Sequence, residues 1–251
     1  MISIWERMPG AELISKDEVE TQYQVTFEQG LFWLTLPTGK NPENARLIFV
    51  FSGHSGVGKD NNLTRSDIAA QFRRKMLCAG FGFVCAVCSP DAFGDPESTE
   101  ATIAASQYCR SCGLNVPEKI PLLGFSMGGL GVLMFAARYP EKVSRIVDVF
   151  GITDLEQFFR AGYFTDFLGR LTQEERTARA PMRRPEIYRD IPILILHGDQ
   201  DNIVDISHSQ QFYEALKQQR CPVQFRIIPG YGHTNDILAD AGVFVEDFFK
   251  E

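Results

Sequence analysis

Residue types able to attack a carbonyl and pass on its proton occur in separate stretches of the chain. The first is Gly124-Phe125-Ser126-Met127-Gly128, a G-x-S-x-G turn between an apolar run and an apolar, Ala-rich segment. A strand that reverses into a helix within a few residues crowds its own backbone, so glycine is required on both sides of the serine. Such a turn holds Ser126 Oγ out at the end of the sheet. A helix over roughly 129–139 would aim its positive N-terminal end at that oxygen. The Met127 backbone N–H would then stand where an oxyanion develops.

A serine nucleophile needs an imidazole to take its proton and a carboxylate to orient that imidazole. The chain has four histidines, His54, His197, His208 and His233. His233 lies in Gly230-Tyr231-Gly232-His233-Thr234, a glycine-flanked loop just past the last apolar strand, where a ring is accessible and adjustable. The carboxylate candidates are Asp199 and Asp201 in His197-Gly198-Asp199-Gln200-Asp201. That segment leaves the C-terminal end of a strand, the edge where α/β sites form. Asp148 and Asp154, after the preceding strand, are the alternatives. Serine, then acid, then His233 is a chain order used by one class of hydrolases.

These stretches need a scaffold, and the hydrophobic pattern supplies one. Residues 21–28 and 31–36 read as two strands around Gln29-Gly30, an antiparallel hairpin at a sheet edge. Continuous apolar runs at 45–51, 81–88, 143–150, 192–198 and 223–229 read as further strands, most of them of the kind buried on both faces of a parallel sheet. Helical spacing occurs at 66–77, 99–109 (with Ser98 as N-cap), 207–219 and 241–250. Alternating strands and helices imply right-handed crossovers, hence an α/β fold with a mostly parallel central sheet and helices on both faces. Residues 154–190 break the pattern, being aromatic and rich in both charge signs, and read as a short helical insertion. Phe93, Met127, Tyr163, Phe164 and Phe167 are candidates to wall an apolar pocket, or to pack that insertion onto the body.

Taken together, GFSMGG, HGDQDNIV and GYGH, in that order and each after an apolar strand, resemble the α/β-hydrolases. The nearest branches are the dienelactone hydrolases, carboxylesterases and prolyl-oligopeptidase-like proteins, and the likeness covers residue 45 to the end. The resemblance implies one α/β-hydrolase domain over 1–251, with an N-terminal edge hairpin within 1–40 and a cap-like insertion at 154–190. It implies Ser126, Asp201 and His233 as catalytic residues, with Asp199 shaping the turn. It also implies a second oxyanion donor at the backbone N–H of His54 or Ser55, beside Met127. Here the family's His-Gly is displaced to Ser52-Gly53-His54-Ser55-Gly56, which leaves that donor open. The expected activity is hydrolysis of carboxylic esters by a serine hydrolase through an acyl-enzyme, with no metal or cofactor. Thioester or peptide cleavage on the same residues is the alternative, as is an α/β-hydrolase fold used only for binding.

Two other motifs compete. Gly53 to Lys59 fits G-x-x-x-x-G-K, a phosphate-cradling loop that would make this a nucleotide-binding protein. Position 60 is Asp, where the magnesium-binding hydroxyl belongs, and Asn61-Asn62 breaks the helix start the motif needs. Cys85-x-x-Cys88 and Cys109-x-x-Cys112 have zinc-site spacing. Cys85 and Cys88 fall on or just past a strand, where positions three apart face opposite sides, so packed thiols are expected.

Composition bounds the rest. The chain has 251 residues, of which 44% are hydrophobic and 23% charged, enough for one sizeable core. A net charge of −7 disfavours nucleic acid or an anionic membrane as the main partner. The first residues lack the pattern of a secretory signal, and no apolar run approaches the roughly 20 residues that span a bilayer. A cytoplasmic location with six reduced cysteines is therefore expected. The expected partner is a small ester or thioester substrate, with a homodimer as a further possibility.

Overall fold

The computed structural model describes residues 8–39, 41–54, 56, 60–86 and 89–251. Its strands are β1 (Ala11–Lys16), β2 (Glu20–Phe27), β3 (Gly30–Pro37), β4 (Arg46–Phe51), β5 (Phe81–Ala86), β6 (Ile120–Phe125), β7 (Val143–Val149), β8 (Ile193–Gly198) and β9 (Val223–Ile228). Among the described residues they form one nine-stranded sheet in the order β1-β2-β3-β5-β4-β6-β7-β8-β9. The first three strands pair antiparallel, as does β3 with β5. From β5 to β9 every pairing is parallel.

Side chains alternate across the pleat, so each parallel strand feeds two core layers. Leu47, Phe49, Leu122, Ile146, Ile193 and Ile195 pack with residues of α2 (Pro96–Ser111), α3 (Met127–Arg138) and α7 (Ser207–Gln218). Ile48, Val50, Leu123, Val147, Leu194 and Leu196 pack on the other face with α1 (Asp67–Cys78) and α8 (Leu238–Lys250). The expected mostly parallel sheet with helices on both faces is what forms. Between β7 and β8 the chain makes the short helices α4 (Leu155–Arg160), α5 (Thr165–Leu168) and α6 (Gln173–Ala178). Their aromatics form a smaller third cluster with Phe93, Met127 and Leu130.

Some boundaries differ from the sequence reading. Helix α2 begins at Pro96, with Asp95 as its N-cap in place of Ser98; the Asp95 carboxylate accepts from Ser98 N–H at 2.8 Å. Aspartate followed by proline at the first helical position is a strong start that outranks the later serine. Strand β1 was not anticipated, because its side chains are mostly exposed and give no burial pattern. Cys85 packs into one core layer and Cys109 and Cys112 into the other, across the sheet, while Cys88 lies outside the described residues. Most of the glycine-rich stretch at 55–59 also lies outside them. Helix α1 starts only at Asp67, capped by Ser66, so no helix N-terminus follows Lys59 as a phosphate loop requires. No helix among the described residues is long and apolar enough to cross a membrane.

Candidate active site

In strand order the chain goes from β4 to β5 on one side and returns to β6 on the other. Such a reversal opens a crevice at the carboxyl ends of the strands. Gly53, just after β4, and Ser126, just after β6, face each other across it: a Cβ built on Gly53 would come 3.3 Å from Ser126 Cβ.

Ser126 adopts φ 55° and ψ −119°, a backbone state that costs a non-glycine residue on the order of 1–3 kcal/mol. The flanking glycines permit it. A Cβ at Gly128 would lie 2.0 Å from Phe51 O, and one at Gly124 would lie 2.4 Å from Gly128 O. Both collisions are with backbone, which cannot turn away. Met127 begins α3, so its N–H has no acceptor one turn back and points out of the helix start.

The loops after β8 and β9 are tied together. Gln200 N–H donates to Tyr231 O at 2.9 Å, and Gly230 N–H donates to Asp199 Oδ1 at 2.7 Å. This extends the β8/β9 pairing past the sheet edge and sets residue 201 beside residue 233. The Asp201 carboxylate is fully buried and lies 2.7 Å from His233 Nδ1. On the ring's other side, His233 Nε2 lies 2.8 Å from Ser126 Oγ. With Nδ1 donating to the carboxylate, Nε2 of the neutral ring is an acceptor facing the hydroxyl. The ring of Phe150 packs against His233, with centroids 4.6 Å apart.

Asp201 is unusually well supplied with donors. Its Oδ1 accepts from the N–H groups of Ile203 and Val204 at 2.9 and 3.0 Å. Its Oδ2 faces His197 Nε2 at 3.3 Å as well as His233. His197 is wholly buried, with Nε2 2.9 Å from Val204 O and Nδ1 2.7 Å from Ser209 Oγ. A carbonyl can only accept, so Nε2 carries the proton. Burial would raise the Asp201 pKa, but donation from His197 and His233, with the loop N–H groups, holds it well below the usual carboxylate range.

The other candidate acids are committed elsewhere. Asp154 caps α4 and pairs with Arg183 at 2.8 Å. Asp148 is sealed under α3 beside Gly129 and Gly151, and burial pushes its pKa up to about 7, only partly offset by His197. His208 is buried against Thr153, and burial pushes its pKa down to about 4.

Ser126 and His233 open onto a cleft of about 390 Å³. Its walls include His54, Asn62, Arg65, Phe150, Phe164 and Ile203. Of the aromatics expected to wall a pocket, Phe164 lines this cleft. Phe93 is fully buried and stacks on Phe167, with ring centroids 5.6 Å apart. Tyr163 stacks on Phe158 and donates its hydroxyl to Asn202 O at 2.7 Å. These rings pack the short helices onto the body. Met127 is buried in the same cluster. The His54 side chain is drawn to Asp91, with Nε2 2.9 Å from Oδ1, and lies against Phe164. Ser55 falls outside the described residues.

Sequence reasoning missed Asn62. It is buried, accepts from Gly53 N–H at 2.7 Å and donates to Asn235 Oδ1 at 2.8 Å. One amide thereby fixes the loop after β4 to the loop that carries His233. The Gly53 N–H is thus engaged by Asn62 and not free to donate into the cleft.

This sheet, with a serine on a strained turn after β6 and an acid and a histidine after β8 and β9, defines an α/β-hydrolase. Residues 97–248, more than half of the chain, match the prolyl oligopeptidase family, and the chain belongs to that family. A truncated carbohydrate esterase from gut microbiota is similar over 95% of this chain and 98% of its own, at TM-score 0.72 and 20% identity. A puromycin-hydrolyzing peptidase of Mycobacterium tuberculosis is similar over 95% of this chain but 40% of its own, at TM-score 0.73 and 20% identity. An uncharacterized secreted protein of Arthroderma benhamiae is 24% identical over 133 residues. That match takes in 52% of this chain and 14% of the fungal protein, so the chain spans only a small part of that relative's length.

Proposed function

We propose that the protein is a serine hydrolase that cleaves carboxylic esters through an acyl-enzyme. The observation that carries this reading is the unbroken hydrogen-bonded chain from Ser126 Oγ through His233 to Asp201. His233 Nε2 takes the hydroxyl proton as Ser126 Oγ bonds to the ester carbonyl carbon. Asp201 holds the ring and stabilises its cation. The Met127 N–H, with a second N–H from the 54–55 stretch, receives the oxyanion, each such donor being worth about 3–4 kcal/mol. The tetrahedral intermediate collapses, and the alcohol leaves with the proton from His233. Water then adds to the acyl group by the reverse path and frees Ser126.

Family membership favours a second reading, cleavage of an amide bond on the same residues, and the peptidase among the similar structures supports it. Steady-state hydrolysis separates them. On the ester reading, kcat/KM for 4-nitrophenyl acetate or butyrate exceeds that for the matching acyl 4-nitroanilides by a hundredfold or more. Comparable rates on anilides, or a preference for peptidyl anilides, would establish the peptidase reading in its place. A thioester series read by thiol release places the third substrate class on the same scale.

A further inference from the structure

The turn after β4 that faces Ser126 is held mostly from outside. Its internal backbone bond among the described residues runs from Gly56 N–H to Gly53 O at 2.9 Å. One such bond closes a turn but leaves its plane free to tilt. Side chains from elsewhere fix it. Asn62 accepts from Gly53 N–H at 2.7 Å, and Arg65 donates to His54 O at 3.2 Å. The third anchor is Asp91, on the loop after β5, whose Oδ1 lies 2.9 Å from His54 Nε2. A carboxylate oxygen accepts, so that nitrogen carries a proton and donates it. The serine hydrolase reading, with its second oxyanion N–H in the 54–55 stretch, is taken here as given. On it, we propose that Asp91 is a positioning residue for the reaction, holding the 53–56 turn in its oxyanion-binding conformation through the His54 imidazole.

Asp91 can act this way because its own loop is rigidly built. Phe93 and Gly94 both take positive φ, 38° and 72°, and such a bend persists only where its surroundings over-determine it. Two half-buried arginines do so by gripping carbonyls. Arg138, at the end of α3, donates to Gly94 O at 2.9 Å and Asp95 O at 3.2 Å. Arg179, just after α6, donates to Ala92 O at 3.3 Å and Phe93 O at 3.2 Å. Asp91 N–H donates to Ser89 Oγ at 3.2 Å. The His54 ring also lies against Phe164, with centroids 4.5 Å apart. Ring packing limits how far the imidazole can move, whereas the charge-assisted bond to Asp91 sets which way it points. The consequence falls on the transition state. Donors already aimed at the developing oxyanion need no reorganisation as charge builds up. A turn released from Asp91 samples other tilts, which weakens that stabilisation and leaves ground-state binding of the ester nearly unchanged.

The test combines steady-state kinetics on 4-nitrophenyl butyrate with inhibition by phenylboronic acid, which bonds to a serine oxygen as a tetrahedral anion and so reports on the oxyanion site. Asp91→Ala is expected to lower kcat by about tenfold or more and to weaken phenylboronic acid about as much, with KM within about twofold of wild type. Its melting temperature is expected to stay within a few degrees of wild type, since Asp91 is partly exposed. His54→Ala is expected to lose as much rate, and the double variant no more than either single one, because both changes remove the same contact. Asp91→Asn, whose amide oxygen still accepts from His54 Nε2–H, is expected to recover part of the rate. A kcat unmoved in Asp91→Ala, losses that multiply in the double variant, or a fall in kcat with the boronic acid binding as before would each overturn this inference alone. So would a rate loss matched by a large fall in melting temperature, which assigns the contact to stability. No hydrolysis of 4-nitrophenyl butyrate by folded wild type would overturn the ester reading and this inference with it.

Discussion

Asp201 sits between two imidazoles, and the two do different things for it. His233 faces both the carboxylate and Ser126, whereas His197 is wholly buried and reaches the carboxylate, Val204 O in the loop and Ser209 Oγ on α7, not Ser126. His197 is thus a positioning residue that fixes where the Asp201 oxygens point. Replacing it with leucine is expected to lower kcat on 4-nitrophenyl esters by tenfold or more, about 1.4 kcal/mol, with KM little changed. His197→Gln, which keeps an N–H donor, is expected to recover part of the loss. A drop in KM-linked binding alone, or no recovery in glutamine, would assign His197 a purely packing role. At this scale Ser126, Asp201 and His233 were legible because glycine-rich spacing and chain order betray them. His197 and Asn62 were not, since their work depends on which loops meet in space.

At the scale of elements, the turn between β6 and α3 concentrates the fold's tolerances. Gly128 lies against Phe51 O and Ser52 O, the backbone where β4 ends and the loop facing Ser126 begins. A methyl group there must push apart two strand ends that are held by their own pairing. Gly128→Ala is expected to destabilise the protein by ~4 kcal/mol or more, seen as a large drop in melting temperature or failure to fold. A variant that melts within a few degrees of wild type would show that the turn yields more than its contacts imply. The parallel strands were legible from their unbroken apolar runs, and the helices from their period. Strand β1 is not legible because an edge strand with exposed side chains has no burial pattern to show, and the cap of α2 falls on Asp95, three residues before the serine that spacing favours. The roles of Phe93, Tyr163 and Phe167 could not be read from composition, since an aromatic that walls a cleft and one that packs beneath it look alike in sequence.

On the scale of the whole molecule, Asp148 links the interior to solution pH. It is fully buried, and burial lifts its pKa from 3.8 to about 7 in the folded protein. Between about pH 4 and pH 7 the folded state therefore binds more protons at this site than the unfolded chain, so this residue's contribution to stability falls as pH rises through that window. Asp148→Asn removes the titration. Its melting temperature relative to wild type is expected to be higher at pH 8 than at pH 5, measured by thermal unfolding across that range. An offset between the two proteins that does not change with pH would contradict the assignment. The sheet order was not legible, because apolar runs do not say which strand lies beside which. Yet that order, with β4 between β5 and β6, opens the crevice at Ser126.

The central claim is that Ser126 is a nucleophile activated by His233 and Asp201. Its most direct test is the intact mass of the folded protein after exposure to a fluorophosphonate, followed by proteolytic mapping. One phosphonyl adduct per chain is expected on the peptide that contains Ser126, and none on Ser126→Ala under the same conditions. A folded wild-type protein that stays unlabelled, or an adduct that persists in Ser126→Ala, would contradict it.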